Sequence, residues 1–177
     1  MTDVVVPTER LDLVLESTEA VLARVEAMSA ASRAEVSPDW LARLRAAEAA
    51  DPWTHGFAMV ERAGGAIVGS CGYKGPPGPE GVVEIAYGVA PSHQGRGYAT
   101  EAARALVAFA FASGSVRLVR AHTQPGNGAS DRVLTKCGFA RVGEVVDPED
   151  GLVCRWQRSR EPAGPGATAD PLQGSVA

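Results

Sequence analysis

The 177-residue chain is 45% hydrophobic and 21% charged, with 17 basic and 21 acidic residues and a formal net charge of −4. This length fits one domain, whose core needs no disulfide or metal for stability. A mildly acidic chain is a poor candidate for a general binder of nucleic acid or acidic membranes. The three cysteines, the absence of CxxC spacing, and the absence of a signal-peptide pattern or a long apolar run favour a cytoplasmic protein.

The first half of the chain predicts one strand, two helices and then three strands. Leucines alternate with acidic residues in ERLDLVLE, and Ser17 then precedes a helical pattern in TEAVLARVEAM. A second helix is predicted from Ser37-Pro38 to Asp51-Pro52. Three short runs rich in Val, Ile and aromatic residues follow, separated by glycine and proline, and predict hairpins: HGFAMVER, AIVGSCGYK and GVVEIAYGVA.

The second half predicts two more helices and three strands. Apolar residues recur at helical spacing in YATEAARALVAFAFASG, where Gly114 suits the position just past the helix end. VRLVRAHT is a predicted strand, Asn127 to Cys137 a shorter helix closed by Gly138, and FARVGEVV with LVCRWQRS a hairpin across DPEDG. The order indicates an α/β (α+β) domain over residues 1–160. Residues 161–177 are rich in Gly, Pro and Ala and predict a disordered tail.

A glycine-rich turn stands between the strand that ends at Val89 and the helix that begins near Tyr98. Gln94, Gly95, Arg96 and Gly97 fill it. Glycines let backbone N–H groups approach a ligand closely, and the helix start adds unpaired N–H groups, so the segment suits a pyrophosphate. Thr100 replaces the third glycine of a dinucleotide fingerprint, and neither lysine of the chain fits a P-loop. A turn without a ligand is the alternative.

Two segments resemble signatures of the GNAT N-acetyltransferases. Gln94-Gly95-Arg96-Gly97-Tyr98-Ala99 is similar to the family's Q/R-x-x-G-x-G/A motif, and Asn127-Gly128-Ala129-Ser130, with Gly138-Phe139 further on, to its N-x-x-S/A helix. The match runs from Thr8 to Arg158 and resembles the branch of ribosomal-protein N-terminal alanine and serine acetyltransferases. It implies the GNAT fold, a central mixed, mostly antiparallel sheet of about seven strands flanked by helices. It also implies acetyl-CoA as co-substrate, bound by Val89, Gln94, Gly95, Arg96, Gly97, Tyr98, Ala99 and Asn127.

The resemblance further implies direct transfer of the acetyl group to a primary amine. The backbone N–H of Val89 would then bind the thioester oxygen. Glu84 and His122 are the two candidate bases for the amine proton, and the sequence leaves the choice open. Relatives carry a tyrosine four residues before Gly-Phe, where this chain has Leu134. Water or Ser130 would then assist the leaving thiolate, with Tyr87 a weaker substitute.

The sequence does not identify the acceptor of the acetyl group. A protein N-terminus and a small-molecule amine both fit, and the acidic turn DPEDG would either attract a cationic acceptor or be a solvated turn. A non-catalytic acyl-CoA-binding regulator is the main alternative, and a structural domain that binds no CoA is another. His55 and His93 show no ligand spacing, so we expect no metal. We expect no nucleic-acid or membrane partner, and a homodimer stays open.

Overall fold

The computed structural model describes residues 4–161, which form one sheet of eight strands with five helices. Residues 162–177, all but the first residue of the predicted tail, lie outside the described residues. The strands are β1 Val5–Pro7, β2 Leu11–Leu15, β3 Phe57–Glu61, β4 Ile67–Tyr73, β5 Val82–Val89, β6 Leu118–Thr123, β7 Ala140–Asp147 and β8 Gly151–Ser159. The helices are α1 Thr18–Glu26, α2 Ala30–Ala34, α3 Pro38–Ala46, α4 Tyr98–Ala112 and α5 Gly128–Lys136.

The strands are ordered β1-β2-β3-β4-β5-β6-β8-β7 across the sheet. Strands β5 and β6 run parallel, because α4 connects them as a crossover, whereas the other neighbouring pairs are antiparallel. The sheet is therefore mixed and mostly antiparallel, as expected. Its eighth strand is the short β1, which pairs with β2 and which the sequence pattern did not predict.

The predicted helix caps are present, but one helix is shorter than predicted. Side chains of Ser17, Ser37 and Asn127 each accept a backbone N–H at the start of their helices. The helix from Pro38 ends at Ala46, not at Asp51-Pro52 as predicted. The backbone leaves the helical conformation at Ala47, whose ψ of 125° is extended. A separate turn follows, in which the N–H groups of Thr54 and His55 both donate to the Asp51 carbonyl.

Helix α4 lies against the middle of the sheet and forms most of the core there. Ala102, Leu106 and Ala110 are fully buried on its inner face, and Gly114 follows its end with φ +78° as predicted. The Tyr73 hydroxyl on β4 donates to the Leu106 carbonyl, which fixes the helix on the sheet. No helix among residues 4–161 has the length and apolar character needed to cross a lipid bilayer.

Candidate functional site

Strands β5 and β6 pair along only half of β5, and this opens the sheet. The register runs from Val82 opposite Leu118 to Ile85 opposite Ala121 and stops there. On its other edge, β5 pairs with β4. The N–H of Lys74 donates to the Glu84 carbonyl, and the N–H of Ala90 donates to the Val68 carbonyl, so the even-numbered residues of β5 direct their backbone groups towards β4. Odd-numbered residues of β5 consequently direct their N–H groups away from β4. The N–H of Val89 therefore points into the gap beyond the parallel pairing. The resemblance to the family implied a donor at this position.

The glycine-rich turn adopts the conformation that an anion site requires. Gly95 and Gly97 have φ +75° and +84°, which favour glycine, and Gly97 caps α4 without any side-chain hydrogen bond. The first N–H groups of α4 are consequently left for a ligand. The Gln94 amide points inward and donates to the Val89 carbonyl at 3.0 Å, linking the turn to the end of β5.

The carboxylate of Glu101 supports the glycine-rich turn through Arg10, and the sequence had not indicated this role. Glu101, in the first turn of α4, accepts hydrogen bonds from the Thr8 hydroxyl at 2.5 Å and the Arg10 N–H at 2.6 Å, and pairs with the Arg10 guanidinium at 2.9 Å. Burial raises its pKa, but these donors outweigh burial and lower the pKa overall. Arg10 in turn donates to the Arg96 carbonyl at 2.8 Å. The sequence pattern of Thr8 and Arg10 before β2 did not indicate that these two residues bind Glu101.

A groove of about 470 Å³ runs from the glycine-rich turn along the open edge of β5 to helix α5. Seven of the eight predicted cofactor-binding residues line it, as does Ser130, and Arg96 is the one that does not. Asn127 lines it too, but its side-chain oxygen accepts the Ser130 N–H at 3.2 Å and caps α5. Its amide nitrogen is the atom left to face a ligand. The lining residues are Tyr87, Gly88, Val89, His93, Gln94, Gly95, Gly97, Tyr98, Ala99, Thr100, Asn127, Ala129, Ser130, Arg132, Val133 and Lys136.

On the opposite face of the sheet, the two candidate bases lie side by side. Glu84 Oε1 is 3.1 Å from His122 Nδ1 and 3.0 Å from Lys74 Nζ. Glu84 Oε1 and His122 Nδ1 are both buried, and neither makes an aligned hydrogen bond with a described residue. Glu84 therefore has a cation, Lys74, beside its carboxylate.

The hydrogen bond at the second ring nitrogen of His122, Nε2, determines which nitrogen carries the proton. Arg155 Nε donates to His122 Nε2 at 3.0 Å, and a guanidinium has no acceptor. Nε2 must then be unprotonated, which places the proton of the neutral imidazole on Nδ1, facing Glu84 and, at 3.7 Å, Asp147. The side chain is 4% exposed. His122 is thus arranged to donate towards a carboxylate, whereas Glu84 retains its acceptor capacity.

The acidic turn between β7 and β8 reaches this face. The ammonium of Lys74 bridges Glu84 and Asp150, and these carboxylates raise its pKa although burial opposes them. Asp147 accepts the N–H groups of Glu149 and Asp150; burial raises its pKa, and these hydrogen bonds outweigh burial and lower it. The turn is therefore ordered over the site, and not simply solvated. A cavity of about 300 Å³ lies beneath it.

Glu84, His122 and Asp147 form a cluster that bears on the expectation that the protein binds no metal. Ligand atoms of Glu84, His122 and Asp147 lie within 4.8 Å of one another, a spacing that suits a metal ion. The ammonium of Lys74, 3.0 Å from Glu84 Oε1, already supplies a positive charge there, and a divalent cation so close to it would be repelled. The donor set therefore fits a metal poorly, and the expected absence of one stays a prediction.

Tyr87 and Ser130 meet where the two cavities join. Their hydroxyl oxygens are 2.9 Å apart. Leu134, at the position where relatives carry a tyrosine, is fully buried in the core and offers no polar group. Three residues, Tyr87, Asn127 and Ser130, line both the groove and the cavity under the acidic turn. The two cavities therefore border the same residues, beside the point where the pairing of β5 with β6 ends.

Comparison with known proteins agrees with this geometry. The model of the acetyltransferase (GNAT) domain matches residues 8–140. The uncharacterized N-acetyltransferase YjdG of Bacillus subtilis (strain 168) is 34% identical over 89 residues, which are 49% of this chain and 53% of that protein. The chain spans about half the length of the curated relatives it matches.

Solved structures share the fold over most of their length. A putative ribosomal-protein-serine acetyltransferase from Vibrio cholerae superposes with a TM-score of 0.66 at 21% identity, covering 90% of this chain and 100% of that one. The structure of AAC(6')-Ib in complex with ribostamycin and coenzyme A superposes with a TM-score of 0.62 at 21% identity, covering 86% and 94%. The fold is thus that of known acetyltransferases, and with the domain model matched over residues 8–140, the chain belongs to the GNAT acetyltransferase family.

Proposed function

We propose that this protein transfers the acetyl group of acetyl-CoA directly to a primary amine. The observation that carries the proposal is a pair of cavities that share three lining residues, Tyr87, Asn127 and Ser130, beside the opening of the sheet. An anion-binding helix start lies at one end of the groove, and a carboxylate cluster lies on the far side of the opening. A donor that carries phosphates and an acceptor that must lose a proton would meet in this opening from opposite faces.

The residues of the groove suit the donor. The N–H groups at the start of α4 and the Gly95–Gly97 turn would hold the pyrophosphate, with Arg96 adding charge. The amide nitrogen of Asn127 would donate to the pantetheine arm. The N–H of Val89 points into the gap and would stabilise the negative charge that develops on the thioester oxygen.

Glu84 suits the role of base better than His122. Neither nitrogen of the imidazole is open to accept a proton, since Nε2 accepts from Arg155 and Nδ1 carries the ring proton. The carboxylate can accept a proton from the amine directly or through a water molecule. His122 would then orient Glu84, and Ser130 would assist departure of the thiolate from the other side of the opening.

The acceptor is a protein N-terminus or a small-molecule amine. Both classes occur among the names of proteins with this fold, a ribosomal-protein-serine acetyltransferase and a ribostamycin complex. The carboxylates of Glu84, Asp147 and Asp150 around the acceptor face favour an amine that carries positive charge.

The experiment is to follow CoA release from acetyl-CoA with a panel of amines and of peptides with free N-termini. Turnover with one class identifies the enzyme and its acceptor. A non-catalytic acyl-CoA-binding regulator, the second candidate, is favoured by the absence of a tyrosine at Leu134. It would bind acetyl-CoA and release no CoA with any acceptor. A chain that does not bind acetyl-CoA would refute both.

A further inference from the structure

We infer that Lys74 is itself an acetylation site: its ε-amine accepts the acetyl group of acetyl-CoA bound in the groove of the same molecule. The inference rests on the proposed function, because it uses the donor site and the base proposed there. It assigns a covalent modification to the side chain that supplies the positive charge beside Glu84.

Lys74 places a primary amine where the acceptor amine of the proposed reaction must lie. It follows β4, and its backbone N–H donates to the Glu84 carbonyl, so the residue stands directly beside the proposed base. Its Nζ is 3.0 Å from Glu84 Oε1, a distance at which a base takes a proton from an amine. Lys74 therefore meets the geometric requirement for an acceptor without having to bind from solution.

The same side chain lines the cavity that borders the donor groove. Lys74 lines the cavity of about 300 Å³ under the acidic turn, and Tyr87, Asn127 and Ser130 line both that cavity and the groove. The lysine side chain is 35% exposed and has a flexible stem of four carbons, so it has room to move. It can therefore carry its amine from Glu84 towards the residues that the two cavities share.

The transfer balances without a further reactant. The Lys74 ammonium gives one proton to Glu84, and its nitrogen then attacks the thioester carbon. The N–C bond forms, and the C–S bond breaks with its electron pair going to sulfur. The thiolate takes the second proton that the nitrogen loses. The products are an acetamide on Lys74, CoA with a free thiol, and the proton on Glu84, which passes to water.

The charges around Lys74 keep this transfer slow. Burial lowers the pKa of Lys74, but the contacts with Asp150 and Glu84 outweigh burial and raise the pKa overall. The ammonium is therefore the dominant form, and little of the nucleophilic amine is present. The product is a neutral acetamide with one N–H in place of three, so it cannot bridge the two carboxylates as the ammonium does.

The other lysine of the chain provides an internal comparison. The sequence has two lysines, and Lys136 also lines the groove, as the last residue of α5. Lys136 is exposed, and no carboxylate of residues 4–161 forms an ion pair with it. Acetyl-CoA that reacts directly from solution would modify the exposed Lys136 at least as fast as Lys74. Only a transfer that depends on position favours Lys74.

The test incubates the wild type with acetyl-CoA in the absence of an acceptor and follows each lysine by peptide mass spectrometry. We expect Lys74 to be acetylated at least about tenfold faster than Lys136. Excess CoA, which carries no acetyl group, should compete for the groove and suppress acetylation of Lys74. The first-order rate should not depend on protein concentration, since donor and acceptor belong to one molecule. Lys74→Arg keeps the charge beside Glu84 and should lose the fast mass increment of the intact chain.

Distinct outcomes separate this inference from the proposed function. Equal acetylation of the two lysines, or an unmodified Lys74 in a chain that binds acetyl-CoA, would overturn the inference. CoA release with an amine from solution would still support the proposed function in that case. A rate constant that rises in proportion to protein concentration would assign the transfer to a second molecule and overturn the intramolecular step. A wild-type chain that does not bind acetyl-CoA would refute the proposed function, and this inference with it.

Discussion

A negative charge at Ala99 should expel the donor without harming the fold. Ala99 is the second residue of α4, and its side chain lines the groove beside the glycine-rich turn. Aspartate is favourable near a helix N-terminus, so Ala99→Asp should fold at least as well as the wild type. The same carboxylate would stand beside the proposed pyrophosphate and repel it. Ala99→Asn has nearly the same shape and no charge, and is the matched control.

The size of the effect follows from Coulomb's law. Two unit charges about 6 Å apart interact with roughly 2.8 kcal/mol at an effective dielectric constant of about 20. A pyrophosphate carries about two charges, and salt at about 0.15 M screens roughly half of the interaction at this distance. The net penalty is about 3 kcal/mol, which is roughly a hundredfold in the Kd for acetyl-CoA.

Isothermal titration calorimetry with acetyl-CoA measures this difference, and thermal unfolding checks the fold. We expect Ala99→Asp to bind roughly a hundredfold more weakly than Ala99→Asn, and the gap to narrow as salt is raised. Equal Kd values for the two variants would refute the placement of the phosphates at the start of α4. A loss of stability in Ala99→Asp alone would refute the assumption that the helix start tolerates the charge.

Three further predictions address the base, the turn and the outer groove. Glu84→Gln should lower kcat roughly hundredfold in steady-state assays and leave the acetyl-CoA Kd unchanged, and an unchanged kcat would remove Glu84 from the base role. Because the folded pKa of Glu101 is below its ordinary value of about 4.5, its stabilisation is present above that pH and lost as the pH falls through the folded value. Glu101→Gln should therefore cost about 2 kcal/mol in urea unfolding at pH 7 and progressively less towards pH 3, and a pH-independent cost would contradict this. Arg132 and Lys136 line the groove on α5; changing both to Gln should weaken acetyl-CoA roughly tenfold in calorimetry and its dephospho analogue less, and equal losses would exclude contact with the 3′-phosphate.

Features encoded within a few consecutive residues were predicted well from the sequence. Short runs rich in Val, Ile and aromatic residues, separated by glycine and proline, predicted the strands of the central meander, and the glycine-rich turn predicted a helix start near Tyr98, where α4 begins. The cap at Asn127 was predicted for the same reason, since a cap is a contact over three residues. Such contacts depend on local backbone geometry, which short patterns report directly.

Contacts between segments that are distant in the sequence could not be predicted from short sequence patterns. Glu101 looked like an ordinary surface residue of α4, and only the fold brings Thr8 and Arg10 onto its carboxylate. Lys74 reaches Glu84 and Asp150 because β4 lies beside β5 and the β7–β8 turn folds over both. The end of α3 was misplaced because the backbone becomes extended at Ala47, within a run of alanine and glutamate that carries no stop signal before Asp51-Pro52. No periodicity encodes these pairings.

In the proposed reaction, strand β5 would present different groups to different parts of the site, because successive residues of a strand point in different directions. Side chains alternate between faces, so Glu84 lies on the acceptor side and Tyr87 on the side of α5. The N–H of Val89 lies in the plane of the sheet and points into the gap that opens after Ile85. Continued pairing with β6 would satisfy that N–H and close the gap. The catalytic geometry we propose therefore depends on where the parallel pairing stops as much as on the side chains themselves.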